Sequence, residues 1–496
     1  MMRTITLAGW VVPMLAAVSL GAAGESALVQ AVKDGNTDAV RAIVRKQAAE
    51  VNVLEPDGTT PLHWAAHLDN LAAADLLITA GAKVQAANRY GATPLWLAAV
   101  NGNAAMVERL LAGGADANTK MAEGDTVLMT AARTGSVAVV RTLLRKGADV
   151  NVKEGWKGQT ALMWAAASGN TATVEALIEA GADVQARTTY TPPFVTRGGG
   201  LRSAERSSDV TRQAGFTALM FAVRAGAMDT VKVLLKSGAT VNDTLSDGAS
   251  VLVVAVASTH YDLADYLLDQ GADPNAQGNG WAPLHQLVWT RRPGTGFINP
   301  GLVPRGRIDS LTLAKKLLAK GANPLARMTK DPDITYVGRR RLTYVGATPF
   351  WLAAETVDLP YMRLLAASGG AVMMSNASGD TPLLAASGLG IEKPGESPGL
   401  PEEVDQAVKL CLELGADATS VDAAGNTALH GAAVWGANGA VEALVAAGAK
   451  LDVKNKKGQT PWRIAEGATF EDAVLAQPRT AALLRRLLEE RGLKVE

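Results

Sequence analysis

Five histidines and one cysteine are the residues of this 496-residue chain best suited to bind a metal or attack a substrate. Their spacing supports neither role. His63 and His67 stand four apart, which would set two imidazoles on one face of a helix. No third ligand lies near them in sequence. Cys411 has no second cysteine to pair with, so no internal disulfide can form. It takes the first place of a leucine pair in Leu410-Cys411-Leu412, the position of a small buried hydrophobe. No Gly-x-x-x-x-Gly-Lys-Ser, Gly-x-Ser-x-Gly or His-Glu-x-x-His run occurs. Gly294-Thr295-Gly296 lacks the flanking strand and helix of a dinucleotide site. Asp116, Asp149 and Asp183 each follow Gly-Ala in a turn and are not paired as acid and base. These residues describe a chain that is not an enzyme and carries no cofactor or metal.

Charge is more informative than catalysis. Lysines and arginines number 48 and aspartates and glutamates 48, so the net charge is zero, which argues against a polyanion or nucleic-acid partner. The balance is uneven along the chain. Segments 188–213, 290–308 and 327–345 carry net charges of +2, +4 and +3, whereas 388–403 carries −3. Arg291 and Arg292 lie in the second of these. Arg339, Arg340 and Arg341 lie in the third, between Tyr336 and Tyr344, where a short ribbon could grip an anion or an acidic protein.

The elements that must position these residues follow from a period. Gly58, Gly91 and Gly124 stand 33 apart, as do Gly215 and Gly248, Gly346 and Gly379, and Gly425 and Gly458. Each is followed by a related block, such as TTPLHWAA from Thr59 or NTALHGAA from Asn426. A second block follows about twenty residues later, such as LLAGGADAN or LLRKGADVN. Within each unit Thr caps a helix and Pro takes its first turn. Leu62, Ala65 and Ala66 give that helix a narrow apolar face. Apolar residues at helical spacing over Ala104–Ala112 make a second helix, which Gly113-Gly114 ends. The broken spacings, such as 57 residues from Gly158 to Gly215, place four insertions near 188–213, 290–308, 327–345 and 388–403.

This pattern resembles the ankyrin repeat. The family signature appears in Gly58 with Thr60-Pro61-Leu62-His63-Trp64-Ala65-Ala66, and closes in Leu143-Leu144-Arg145-Lys146-Gly147-Ala148-Asp149-Val150-Asn151. The resemblance implies an all-α ankyrin-repeat solenoid of about twelve helix-turn-helix-loop units over 25–493, with degenerate caps. It also implies a structural role for His63, His285 and His430, each bonding the backbone of a neighbouring loop. His260 falls at the turn between two helices, where the family favours histidine.

In such arrays the loop tips and first helices form a concave binding face. Here those slots hold Arg89, Tyr90, Arg133, Trp156, Lys157, Phe216, Arg224, Trp281, Trp289, Glu355 and Trp435. Exposed aromatics interleaved with arginine make protein-binding hot spots. Trp64, Trp164 and Phe221 replace inward leucines and are expected in the core. Trp96 and Trp351 stand in the histidine slot and are expected half exposed.

The first residues break the pattern. Met1-Met2-Arg3-Thr4 precedes an uncharged apolar run over 5–20 and then small residues, the order of a signal peptide over 1–24. An uncleaved anchor is the alternative, although 16 residues are short for a span. The reading is a secreted or periplasmic, bacterial, monomeric ankyrin-repeat scaffold that binds a protein partner, without nucleic acid and without a membrane span after cleavage. The rivals are an exported effector acting on a host protein, an envelope binder of an anionic polymer or small ligand through Arg291, Arg292 and Arg339 to Arg341, and an enzyme built from 294–307 or 339–344.

Overall fold

Thr-Pro starts the helices as its chemistry dictates. Thr60 lies in extended backbone, and its hydroxyl accepts the amide of His63 while Pro61 opens the helix. His63 returns the contact: its Nδ1 accepts the Thr60 amide at 3.1 Å. The threonine hydroxyl cap, without the returning contact, recurs at Thr93, Thr160, Thr217, Thr348, Thr381 and Thr460.

A computed structural model of the protein describes residues 26–189, 214–292, 306–332, 342–389, 399–468 and 476–495. The proposed signal segment, Arg339 to Arg341 and the middle of each insertion lie outside these residues. The chain divides into two compact units, Met1–Asp183 and Val184–Glu496.

Among the described residues the first unit holds five helix pairs. They are α1 (Ala27–Lys33) with α2 (Thr37–Lys46), α3 (Pro61–His67) with α4 (Leu71–Thr79), α5 (Pro94–Asn101) with α6 (Ala104–Ala112), α7 (Val127–Thr134) with α8 (Val137–Arg145), and α9 (Ala161–Ala167) with α10 (Thr171–Glu179). Among the described residues the second unit holds seven. They are α11 (Ala218–Ala225) with α12 (Met228–Lys236), α13 (Val251–Ala257) with α14 (Tyr261–Asp269), α15 (Pro283–Arg291) with α16 (Ser310–Ala319), α17 (Pro349–Glu355) with α18 (Leu359–Ala367), α19 (Pro382–Ala386) with α20 (Pro401–Glu413), α21 (Ala428–Trp435) with α22 (Asn438–Ala446), and α23 (Pro461–Ala465) with α24 (Pro478–Glu490). Among the described residues there is no strand, only isolated bridges such as Lys120 with Thr126 across a loop tip. Each unit is thus a stack of ankyrin-type helix hairpins.

Two layers make each core. First helices pack on first helices through alanines that admit close approach: Ala65, Ala66, Ala98, Ala99, Ala131, Ala132, Ala165 and Ala166 are all 0% exposed. Second helices contribute Val107, Leu110, Val140, Leu143 and Leu177, also fully buried. Cys411 on α20 belongs to this layer, and burial pushes its thiol up to about 12.

Polar rungs join successive hairpins at the end of the second helix. The side chain of Asn118 donates to Gly147 O at 3.0 Å and accepts the Asp149 amide at 2.8 Å. Asn52 and Asn151 make the same double contact two repeats back and one forward. At the turn between helices the backbone enters the left-handed region, usually at glycine, as at Gly102 with φ +72°. Among the described residues three repeats place another residue there: Asp69, Thr259 and Val357, at φ +54°, +59° and +48°.

Candidate interaction face

The loop tips of the first unit are stitched together by backbone. The Arg89 amide donates to Asp57 O at 2.8 Å, and the Gly155 amide to Glu123 O at 3.2 Å. One tip is locked internally as well. Glu154, 8% exposed, accepts the amides of Trp156, Lys157 and Gln159 at 2.6, 2.7 and 2.9 Å. A carboxylate that satisfies three amides fixes the loop, and the loop then holds Trp156 out at 57% exposure. Lys157 Nζ lies 4.2 Å from the centre of the Trp156 ring.

Cations lie over the other aromatics of this face. Arg89 donates to the Tyr90 hydroxyl at 2.8 Å and sits 5.0 Å from its ring, with Tyr90 itself half-buried. Arg133, in the last turn of α7, covers Trp164 at 4.7 Å. Burial lowers the Arg133 pKa, which the Asp125 charge partly restores, and burial likewise raises Asp125. The Arg133 Nε and the Trp164 indole nitrogen are buried without a hydrogen-bond partner. Lys33 covers Trp64 at 4.4 Å and pairs with Glu55 at 2.8 Å, and Glu55 also accepts the Trp64 indole N–H. Trp64 and Trp164 are therefore half-buried members of the face, not the core residues expected from their leucine slots. The signal that could have found them is the basic residue one repeat away. Trp96 is half-buried as expected, its indole N–H donating to Thr130 at 3.1 Å.

The second unit corrects several expectations. Phe216, Trp281, Trp289 and Trp435, expected as exposed aromatics, are 4%, 8%, 7% and 3% exposed. Each packs against a neighbour instead. Phe216 and Phe221 lie 5.2 Å apart beneath Arg224, whose guanidinium is 5.0 and 5.2 Å from the two rings. Arg224 keeps an exposed edge, and the partial loss of water lowers its pKa. Trp281, Trp289, Tyr344 and Trp351 form a run of edge-to-face contacts at 5.5, 6.3 and 6.1 Å, which packs ring against ring. Trp351, expected half exposed, is 0% exposed and donates to Asp380 O at 2.8 Å. Glu355, placed on the face from sequence, is 3% exposed and accepts the Tyr344 hydroxyl at 3.2 Å. Trp435 fits only because residue 388 is glycine; a Cβ there would fall 1.9 Å from its indole nitrogen.

Arg291 and Arg292 of the second basic insertion are also engaged. Arg291 is the last residue of α15. It forms a bidentate pair with Asp358 at 2.6 and 2.8 Å, both side chains nearly buried, and a further bond to Ser310 at 2.5 Å. Arg292 holds Glu403 at 2.5 and 3.2 Å. Neither is free to grip an anion, because each is neutralised by a carboxylate from a later repeat that the sequence separates by 67 and 111 residues.

Four of the five histidines bond the backbone of a neighbouring repeat. His63, His285 and His430 reach Ala92, Ala326 and Gln459 carbonyls at 3.0, 3.1 and 3.0 Å, and His260 reaches Arg224 O at 3.1 Å. Burial lowers the pKa of His63 and His430, and takes His285 down to about 4.

Comparison with known proteins agrees with this geometry. The family model for ankyrin repeats in three copies matches residues 11–88, 28–121, 95–188 and 201–278, and the single ankyrin-repeat model matches 424–456. The chain is 34% identical over 244 residues to Ankyrin repeat and SOCS box protein 16 of Mus musculus, covering 47% of this chain and 51% of that one. It is 36% identical over 230 residues to the Homo sapiens protein of the same name, covering 42% and 46%. E3 ubiquitin-protein ligase KEG of Arabidopsis thaliana is 28% identical over 269 residues, 53% of this chain and 14% of that one. The chain thus spans about half or less of the length of these relatives. With the matched segments covering more than half of its residues, and with hairpins, capped Thr-Pro turns and histidine bridges in place, the chain belongs to the ankyrin repeat family.

Proposed function

We propose that this ankyrin-repeat scaffold binds a protein partner on the loop-tip and first-helix face of its first unit, with Trp156 as the central contact and Arg89, Arg133 and Lys157 around it. Ankyrin repeats indicate a protein–protein interaction scaffold in general terms. The observation that carries the finer reading is the 57% exposure of Trp156 on a loop that Glu154 holds rigid. A large ring kept in water by a preorganised loop loses little entropy when a partner covers it, and tryptophan is prominent among interface hot spots. Export through the first 24 residues belongs to the same proposal and rests on their order of charge, apolar run and small residues.

Two experiments test this. Affinity capture with the chain from Glu25 as bait, run beside Trp156→Ala, should retain a protein that the variant loses. Equal retention by both would remove Trp156 from the interface. A fusion of residues 1–24 to a reporter active only outside the cytoplasm should give activity, and an inactive fusion would refute export.

A further inference from the structure

We infer that the C-terminal repeats of the second unit, from α17 onward, form a latched module: Arg291 and Arg292 hold it against the preceding repeat, and it opens cooperatively when that latch is weakened. Three observations meet at this joint.

The polar ladder ends there. Gln185, Asn242 and Asn275 donate to Gly238, Gly271 and Gly321 carbonyls at 2.7, 3.1 and 2.8 Å, one rung per repeat. The next two rung positions are Leu325 and Met373, which can make no such bond and are 42% and 58% exposed. Thr419, the following one, turns back onto Asp417. Each lost rung removes the tie to a carbonyl and to an amide of the following hairpin.

The opposite edge carries an ionic substitute. Turn-edge ties elsewhere join a side chain to backbone, such as His260 on Arg224 O and the Asp262 carboxylate on the Arg307 and Ile308 amides. At the joint they are replaced by two consecutive arginines. Arg291 reaches Asp358, the N-cap of α18, and Arg292 reaches Glu403 in the first turn of α20. One end of α15 thereby secures the next two repeats.

The turn just before the first of these carboxylates is strained. Val357 adopts φ +48°, a conformation that β-branched residues avoid, and it is 2% exposed. A Cβ at Gly399 would fall 2.6 Å from Val357 Cγ2, so the strained turn and the start of α20 are in close contact. Strain of this kind persists only where surrounding contacts enforce it, and here the adjacent contact is the Arg291–Asp358 pair. In a repeat stack stability is a sum over neighbouring interfaces, so weakening one interface releases the repeats beyond it as a group.

Hydrogen exchange of the full chain, read by mass spectrometry helix by helix, tests the latch. Arg292→Gln should raise exchange in α18 and α20 by about fivefold or more while leaving α13 and α14 unchanged. Raising salt from about 0.05 to about 1 M should do the same to the wild type and little to the variant. Leu325→Asn with Met373→Asn, which restores two rungs, should slow exchange in α18 and α20 and not elsewhere. Equal changes in all helices, or no change in α18 and α20 with either variant, would overturn the proposal.

Discussion

Acid should loosen the second unit through His285, and the geometry sets the size of the effect. The ring is 0% exposed. Its Nδ1 accepts the Ala282 amide at 3.1 Å, which requires that nitrogen to be unprotonated, while Nε2 donates to Ala326 O at 3.1 Å. A second proton would turn Nδ1 into a donor facing a donor, at a site with no exposure to bulk solvent. Burial therefore drives the pKa from 6.5 down to about 4. The sign follows from linkage. The unfolded chain takes up a proton below 6.5 and the folded chain does not, so the contribution is complete above 6.5 and is lost as pH falls toward 4. A gap of roughly two and a half units corresponds to about 3 kcal/mol, of which about 2 kcal/mol is lost by pH 5. Histidine NMR titration measures the pKa directly. Urea unfolding at several pH values, followed by fluorescence of the buried tryptophans, measures the stability of wild type against His285→Gln. The variant should be less stable at pH 7 and show a flatter pH dependence below 6.5. A His285 midpoint near the ordinary value, or identical pH slopes in both proteins, would refute the reasoning.

Other expectations can be checked singly. Glu154→Ala releases three amides, so it should cost about 1–3 kcal/mol locally, increase the anisotropy decay of Trp156 fluorescence and weaken partner binding; an unchanged decay would separate the carboxylate from loop order. Asn118→Ala breaks one rung with two hydrogen bonds and should cost about 1–2 kcal/mol, seen as faster exchange of the Asp149 amide; unchanged exchange there would deny the rung its role. Cys411, buried with its thiol pushed up to about 12, should resist iodoacetamide in the folded chain and react on denaturation; labelling at equal rates would contradict its place in the core.

Much of the fold was legible in the sequence because its signals are local and repeated. Thr60-Pro61 caps a helix wherever it stands, Ala104–Ala112 carries its apolar spacing within nine residues, and the histidine slot recurs with the period. Exposure was legible less often. Phe216, Trp281, Trp289 and Trp435 occupy slots that face outward in a generic repeat, yet here neighbouring loops and helices bring rings or glycines against them. Trp64 and Trp164 erred in the opposite direction, because an indole is too large for a leucine slot and emerges under a cation from another repeat.

By itself the sequence determined the family, the hairpin, its caps and the layers of alanine and leucine, since each depends on residues within one or two turns of one another. Only the tertiary structure decided which large side chains face water and which charges are spent. Arg291 and Arg292 read as free cations because their carboxylates, Asp358 and Glu403, lie in later repeats. Trp156 read like the other aromatics until the buried Glu154 set it apart. Burial and charge pairing depend on what stacking brings near, and a periodic pattern specifies the stacking without specifying which side chains then meet.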